Sequence, residues 1–373
     1  VKNLIDERFL VSPFFALFLI YSSQIGVGMM AFQRNIAEHA GYDAWIAVIL
    51  SGLSIQVVLW MMYRILRVAR QDVMFINPYC FGKWIGGSIN LLMIGYFLFS
   101  GFIVLRSYVE VVQVWMFPLM STWQISGIFL LLIYYIVSSG FRVINGFCVW
   151  GAILPFIVLF PLLFFPLEFA NFNHLLPVFN HSVKEILLSS KSMLFQFMGF
   201  EILFMFYPFL KNPEQSQKWA HYGAFISFLL YLFVALVTFV YFSEKQIQHI
   251  TWPTLTLLKI AEIPLIERVE YIVVSIWLLV VLPGISLNLW AACRGVKRMA
   301  NVKQHIMLLI FLISYFVLSN MLEDRRLIKQ FVAIHSNIGF CYVYGYIPFL
   351  FVAIHLRQKI RTPKRLTDGD PTI

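Results

Sequence analysis

The residue with the most chemistry to offer is Glu201, an acid set in the apolar run Gln196-Phe197-Met198-Gly199-Phe200-Glu201. A charged side chain at the centre of a bilayer costs about 3 kcal/mol or more unless it is neutralised, paired or wetted, so an acid there marks a functional site by default. The competing role is a structural hydrogen-bond partner for a neighbouring helix. Gly199 and Pro208 weaken the helix that carries it. A second weak point lies in Ser22-Ser23-Gln24-Ile25-Gly26-Val27-Gly28, where two glycines and a glutamine interrupt another apolar run. Unwound backbone at membrane depth is tolerated only where protein covers it or where it lines a cavity, so both breaks are candidate walls of a binding site. Close approach of another helix at Gly26 and Gly28 is the plainer explanation of the first. The N–H groups that begin a half-helix carry partial positive charge and suit the carboxylate of a small amino acid. These segments nominate Gln24, Gly26, Val27, Gly28, Met198, Gly199, Phe200 and Glu201 as ligand-binding residues. Tyr96 joins them, since its hydroxyl can face a cavity from the middle of a third run, or else satisfy itself on a backbone carbonyl.

Other polar residues carry less. Arg106 and Glu110 are four apart, share a helix face and fit a structural ion pair. Pro283-Gly284, with Ser286 and Asn288 nearby, fits a packing kink. The eight histidines show no metal-binding spacing, and no phosphate-binding loop or nucleophile elbow is present. Cys80, Cys148, Cys293 and Cys341 lie far apart in or beside apolar segments and read as buried free thiols. No enzymatic chemistry, metal or cofactor is expected.

What must position these residues is a membrane bundle. Of the 373 residues 60% are hydrophobic and 12% charged, and the mean hydropathy is +0.80, outside the usage of soluble domains. Ten stretches come near the length that crosses a bilayer: 9–32, 44–66, 85–115, 123–137, 143–165, 186–210, 222–242, 269–292, 305–320 and 334–356. The expectation is an all-α integral membrane protein, one domain over 1–373, ending in a basic tail at 357–373. Two long connections, 166–185 and 243–268, carry Pro and polar residues that suit short surface helices. The first run is too long for a signal-peptide core and is expected to stay as a helix. The net charge of +10 sits in short segments between apolar runs, which is a topology signal rather than a nucleic-acid surface. With both termini cytoplasmic, 18 Lys and Arg fall inside and 9 outside, as the positive-inside rule requires. Breaks in segments one and six of ten are what two inverted five-helix repeats produce, with ligand held where the broken helices meet.

The residues also resemble a known family, the B subunits of GerA-type germinant receptors, endospore germination permeases within the amino acid–polyamine–organocation transporter superfamily. The resemblance covers nearly the whole chain. It is carried by Ile25-Gly26-Val27-Gly28, Gly82-Lys83-Trp84-Ile85-Gly86, Gly95-Tyr96-Phe97, Gly199-Phe200-Glu201, Pro208-Phe209, Thr251-Trp252-Pro253-Thr254 and Glu267-Arg268. The family's Leu-Pro shortly after the glycine pair reads Phe32-Gln33 here. The resemblance implies a LeuT-like fold of ten helices in the inner membrane of the bacterial endospore. It implies a subunit that works with A and C partners to sense a small nutrient, an amino acid above all, and trigger germination. By carry-over, the breaks at Gly26 to Gly28 and Gly199 to Glu201 are the two sides of the ligand site. The same fold also serves ion-coupled amino-acid permeases and gated conduits for water or ions, and both stand as alternatives.

Overall fold

The computed structural model describes residues 5–261 and 268–360. Lys2, Glu267 and the tail beyond residue 360 lie outside the described residues. Sixteen α-helices follow one another: α1 (Ala16–Gln24), α2 (Phe32–Ala40), α3 (Ala44–Ala69), α4 (Val73–Phe81), α5 (Lys83–Trp115), α6 (Thr122–Ser138), α7 (Phe141–Leu159) and α8 (Val183–Phe197). Then come α9 (Leu203–Phe206), α10 (Gln217–Tyr241), α11 (Glu244–Ile247), α12 (Pro253–Leu258), α13 (Val269–Ala300), α14 (Gln304–Met321), α15 (Arg325–Phe340) and α16 (Ile347–Ile360). Among the described residues there is no strand.

Among the described residues seven helical runs are long and apolar enough to cross a membrane, including Phe32–Ala69, which joins α2 to α3. The pair Val183–Phe197 and Phe200–Phe209, bent by 49°, makes an eighth, and α6 is a shorter apolar helix. The first expected segment, 9–32, breaks after α1 into a 3-10 turn over Val27–Met30 and ends where α2 begins. The sixth divides into α8, a 3-10 turn over Phe200–Ile202, and α9. Paired interruptions at positions one and six are therefore built into the bundle. The long connections carry short helices, the 3-10 stretches Pro161–Phe169 and Phe172–Leu175 in one and α11 and α12 in the other.

Local chemistry explains the joints. Ser121 with Gln124, and Ser182 with Glu185, form capping boxes that open α6 and α8. Gly82 ends α4 and opens α5 at φ +83°, a conformation L side chains rarely adopt. At Gly86 a methyl group would run into the Asn77–Pro78 backbone, so the two glycines of the Gly-Lys-Trp-Ile-Gly motif let α4 fold tightly onto α5. The central helix α13 packs on α5, α7 and α1. Pro283 cannot bond to the Leu279 carbonyl one turn back. That carbonyl instead meets α7 at Gly151, where any side chain would collide with it. Beyond the proline Asn288 turns back on the helix, donating to the Gly284 carbonyl at 2.9 Å, whereas the Ser286 hydroxyl is buried with no partner among the described residues.

Two expectations need correction. Arg106 and Glu110 do not pair: Glu110 meets Arg325 at 3.1 Å, and Arg106 donates to the Leu322 carbonyl at 2.7 Å. Their shared face lies against the α14–α15 connection, which offers each a better-placed partner than its helix neighbour. Of the thiols, Cys148 and Cys293 are buried as expected, whereas Cys80 is half-buried and Cys341 is exposed.

Hydrogen bonds tie distant segments together at both ends of the bundle. At the end bearing the N-terminus, Val11 pairs with Leu210, donating to the Phe209 carbonyl at 2.8 Å and accepting from Lys211 N–H at 2.9 Å. Arg142 clasps the same segment through the carbonyls of Glu7 and Leu10. At the opposite end, the amide of Gln33 donates to Thr238 at 3.1 Å and Thr254 at 2.6 Å, and Thr254 donates to the Met29 carbonyl at 2.7 Å. Gln33 is thus tied to the Thr251-Trp252-Pro253-Thr254 turn.

Candidate functional site

The two breaks face each other. Helix α1 stops at Ile25, whose extended backbone leads through Gly26 into the 3-10 turn begun by Val27. Helix α8 stops at Met198, and Gly199, at φ +115°, turns the chain into the 3-10 turn begun by Phe200. Gly199 is required twice over: its φ favours glycine, and a methyl group there would strike the Ser23 carbonyl on the facing break. Gly28 likewise leaves room for the Gln196 side chain.

Hydrogen bonds stitch the breaks together. Gln24 donates through Nε2 to the Phe197 carbonyl at 3.0 Å. The Tyr231 hydroxyl on α10 shares its hydrogen between the carbonyls of Gln24 at 3.1 Å and Gln196 at 3.2 Å, one from each break. Trp277 on α13 donates to the Gly26 carbonyl at 3.3 Å. Tyr231→Phe should therefore cost about 1 kcal/mol, the net worth of one buried hydrogen bond. It should also loosen both breaks together, read as a lower melting temperature and faster amide exchange at Gln24 and Gln196; unchanged exchange at either would refute the bridge.

Glu201 sits at the junction, 1% exposed. One carboxylate oxygen accepts from Gly199 N–H at 2.8 Å and the other from the Tyr96 hydroxyl on α5. Among the described residues no cationic side chain pairs with it. On the facing break, the N–H groups of Gly26, Val27 and Gly28 find no acceptor among the described residues, and the Gln24 Oε1 atom is buried without a donor. A methyl group on Gly26 would meet nothing within 4 Å, so backbone here borders open space. The junction thus holds a buried carboxyl group with no cation beside it and, on the facing break, backbone donors with no acceptor among the described residues.

The structure brings Tyr96, Met198, Gly199 and Glu201 into one cluster and ties Gln24 and Gly28 to its rim. Val27 and Phe200 enter through their backbone, as the first residues of the two 3-10 turns, with buried side chains. A separate apolar cavity of about 40 Å³ flanks the first break, with Tyr21, Ile25, Met29 and Trp277 among its walls, and holds none of the polar candidates. Sequence reasoning missed Tyr231, Trp277, Gly339 and His335. His335 raised no flag of the kind Glu201 did, because it stands at the edge of the expected span 334–356 and shares its helix with Arg325, Arg326 and Lys329. Gly339 admits the Met198 methyl group against α15, and nothing in its neighbourhood of sequence sets it apart.

Paired breaks in segments one and six, buried at the bundle's centre, define a LeuT-like membrane protein. In agreement, the chain superposes on the substrate-bound, outward-open state of a Na+-coupled sialic acid symporter with a TM-score of 0.66 at 12% identity, covering 92% of this chain and 79% of that one. That likeness speaks for the fold alone. The family model for spore germination proteins matches residues 10–328, and the chain belongs to that family. It is 41% identical to spore germination protein GerQB of Bacillus cereus over 96% of this chain and 99% of the relative. Spore germination protein B2 of Bacillus subtilis (strain 168) is 27% identical over 70% of this chain and 72% of its own length. Protein A2 of the same organism is 22% identical over 94% and 97%.

Proposed function

We propose that the chain is the membrane subunit of a nutrient germinant receptor and that its ligand is a small amino acid held between the two breaks. The observation that carries this reading is the polarity of the junction. Glu201, buried without a cation, suits an ammonium group, and the unpaired N–H groups of Gly26 to Gly28 suit a carboxylate. A zwitterion supplies both. Membership of the germination family supports the receptor role, with A and C subunits as partners and the inner membrane of the endospore as location. The bias of Lys and Arg supports cytoplasmic termini.

The test is ligand-dependent thermal stabilisation of the purified chain in lipid nanodiscs, with L-amino acids set beside their N-acetyl and carboxamide derivatives. A ligand at a hundred times its Kd stabilises by about 2.7 kcal/mol. Amino acids should raise the melting temperature and the blocked derivatives should not; stabilisation that survives blocking either end would overturn the zwitterion reading. Because the fold is shared with a symporter, uptake into proteoliposomes is measured in parallel. A sensor binds with little net flux, and accumulation driven by an ion gradient would make the chain a transporter instead.

A further inference from the structure

His335 projects from α15 into the bundle at 4% exposure, and neither ring nitrogen has a hydrogen-bond partner among the described residues. Its imidazole stacks on the Tyr96 ring at 5.2 Å and 5°, the same tyrosine whose hydroxyl reaches Glu201. The edges of Phe99 and Phe195 close on it at 5.3 Å and 5.8 Å. One turn further along α15, Gly339 leaves space for the Met198 side chain, and its Cβ position is 3.4 Å from the Tyr96 hydroxyl. Helix α15 is therefore the third wall of the junction, and His335 is its polar feature. Leaving a buried donor and acceptor unmet costs about 1–3 kcal/mol each, and folded proteins keep such groups where something else meets them. Phe99 and Phe195 are themselves only half-buried.

We propose that His335 reads the side chain of the ligand, selecting one that ends in an uncharged polar group such as a hydroxyl or a carboxamide. A neutral imidazole offers one donor and one acceptor. Hydroxyls and carboxamides answer either, while aromatic walls that strip away water disfavour a charged side chain at that end. The inference rests on the amino-acid reading of the site, with Glu201 taking the ammonium group and His335 the far end of the same molecule.

The experiment measures Kd for two isosteric pairs, L-threonine with L-valine and L-asparagine with L-leucine, on the full chain in nanodiscs. The variants are His335→Phe, which keeps the stack and removes both nitrogens, and His335→Gln, which keeps a donor and an acceptor. Wild type should favour the polar member of each pair by about tenfold, His335→Phe should level or reverse that ratio, and His335→Gln should retain it. A wild type without the preference overturns the proposal. So does a ratio left intact by His335→Phe, including a uniform loss for all four probes, since water would then be what meets the nitrogens. Wild type that binds none of the probes or of the other amino acids refutes the amino-acid reading itself, an outcome distinct from binding without discrimination.

Discussion

Glu201→Gln should abolish amino-acid-dependent stabilisation while leaving the empty protein at least as stable as before. The carboxylate has two neutral donors, Gly199 N–H and the Tyr96 hydroxyl, and no counter-charge. A carboxamide keeps both contacts by accepting from Gly199 and donating to Tyr96, whose oxygen can accept. Replacing an uncompensated buried charge with a satisfied neutral group removes a desolvation cost, so the unliganded melting temperature holds or rises. The ligand's ammonium group, by contrast, loses its only carboxylate and is left desolvated. Truncating one member of a buried charge pair costs about 2–5 kcal/mol, roughly thirtyfold or more in affinity. Calorimetric Kd values and melting curves on the same preparation check both halves. Undiminished affinity would take the ligand away from Glu201, and a sharply destabilised empty protein would make the residue a structural post.

The second large effect falls at Gly199. Gly199→Ala should lower stability by about 3 kcal/mol or more, because it combines a disfavoured left-handed φ with a collision against backbone. The φ is +115° and the obstacle is the Ser23 carbonyl, which cannot rotate aside as a side chain would. Gly26→Ala is the matched control: it removes a glycine from the other break, where the added methyl group meets nothing within 4 Å, and should cost under about 1 kcal/mol. The contrast is read as the difference between the two melting temperatures. Equal losses would mean that the glycines serve the breaks through backbone freedom alone and that the contact of Gly199 with Ser23 is dispensable.

Much of this was legible in the residues. Apolar runs of crossing length, interrupted by Gly26 and Gly28 and again by Gly199, announce a bundle with broken first and sixth segments, because hydrocarbon punishes irregular backbone everywhere except around a site. Glu201 stood out because a polar group at that depth is too costly to go without partners; Tyr96, for which the sequence left a cavity or a backbone carbonyl open, is one of those partners. Partners were harder to read. Helical spacing placed Arg106 and Glu110 on one face, yet the choice of partner fell to the α14–α15 connection, far away in sequence. Tyr231 and Trp277 look like ordinary aromatic residues of apolar helices until α10 and α13 carry their polar edges to the carbonyls of the breaks. His335 failed a metal-spacing test that was the wrong question, since what matters is the stack against Tyr96.

The Gln33 linkage makes one mechanical unit of three segments. Its amide grips α10 through Thr238 and the start of α12 through Thr254, while Thr254 holds the Met29 carbonyl just beyond the unwound stretch of segment one. On the proposed reading, a shift in that stretch as a ligand settles would be passed along a strut of short polar bonds to a small helix in the connection between α10 and α13. The bundle would then have no need to open for its occupancy to be felt away from the junction: a displacement begun there would arrive at α12, itself packed into the bundle, as a push on a lever.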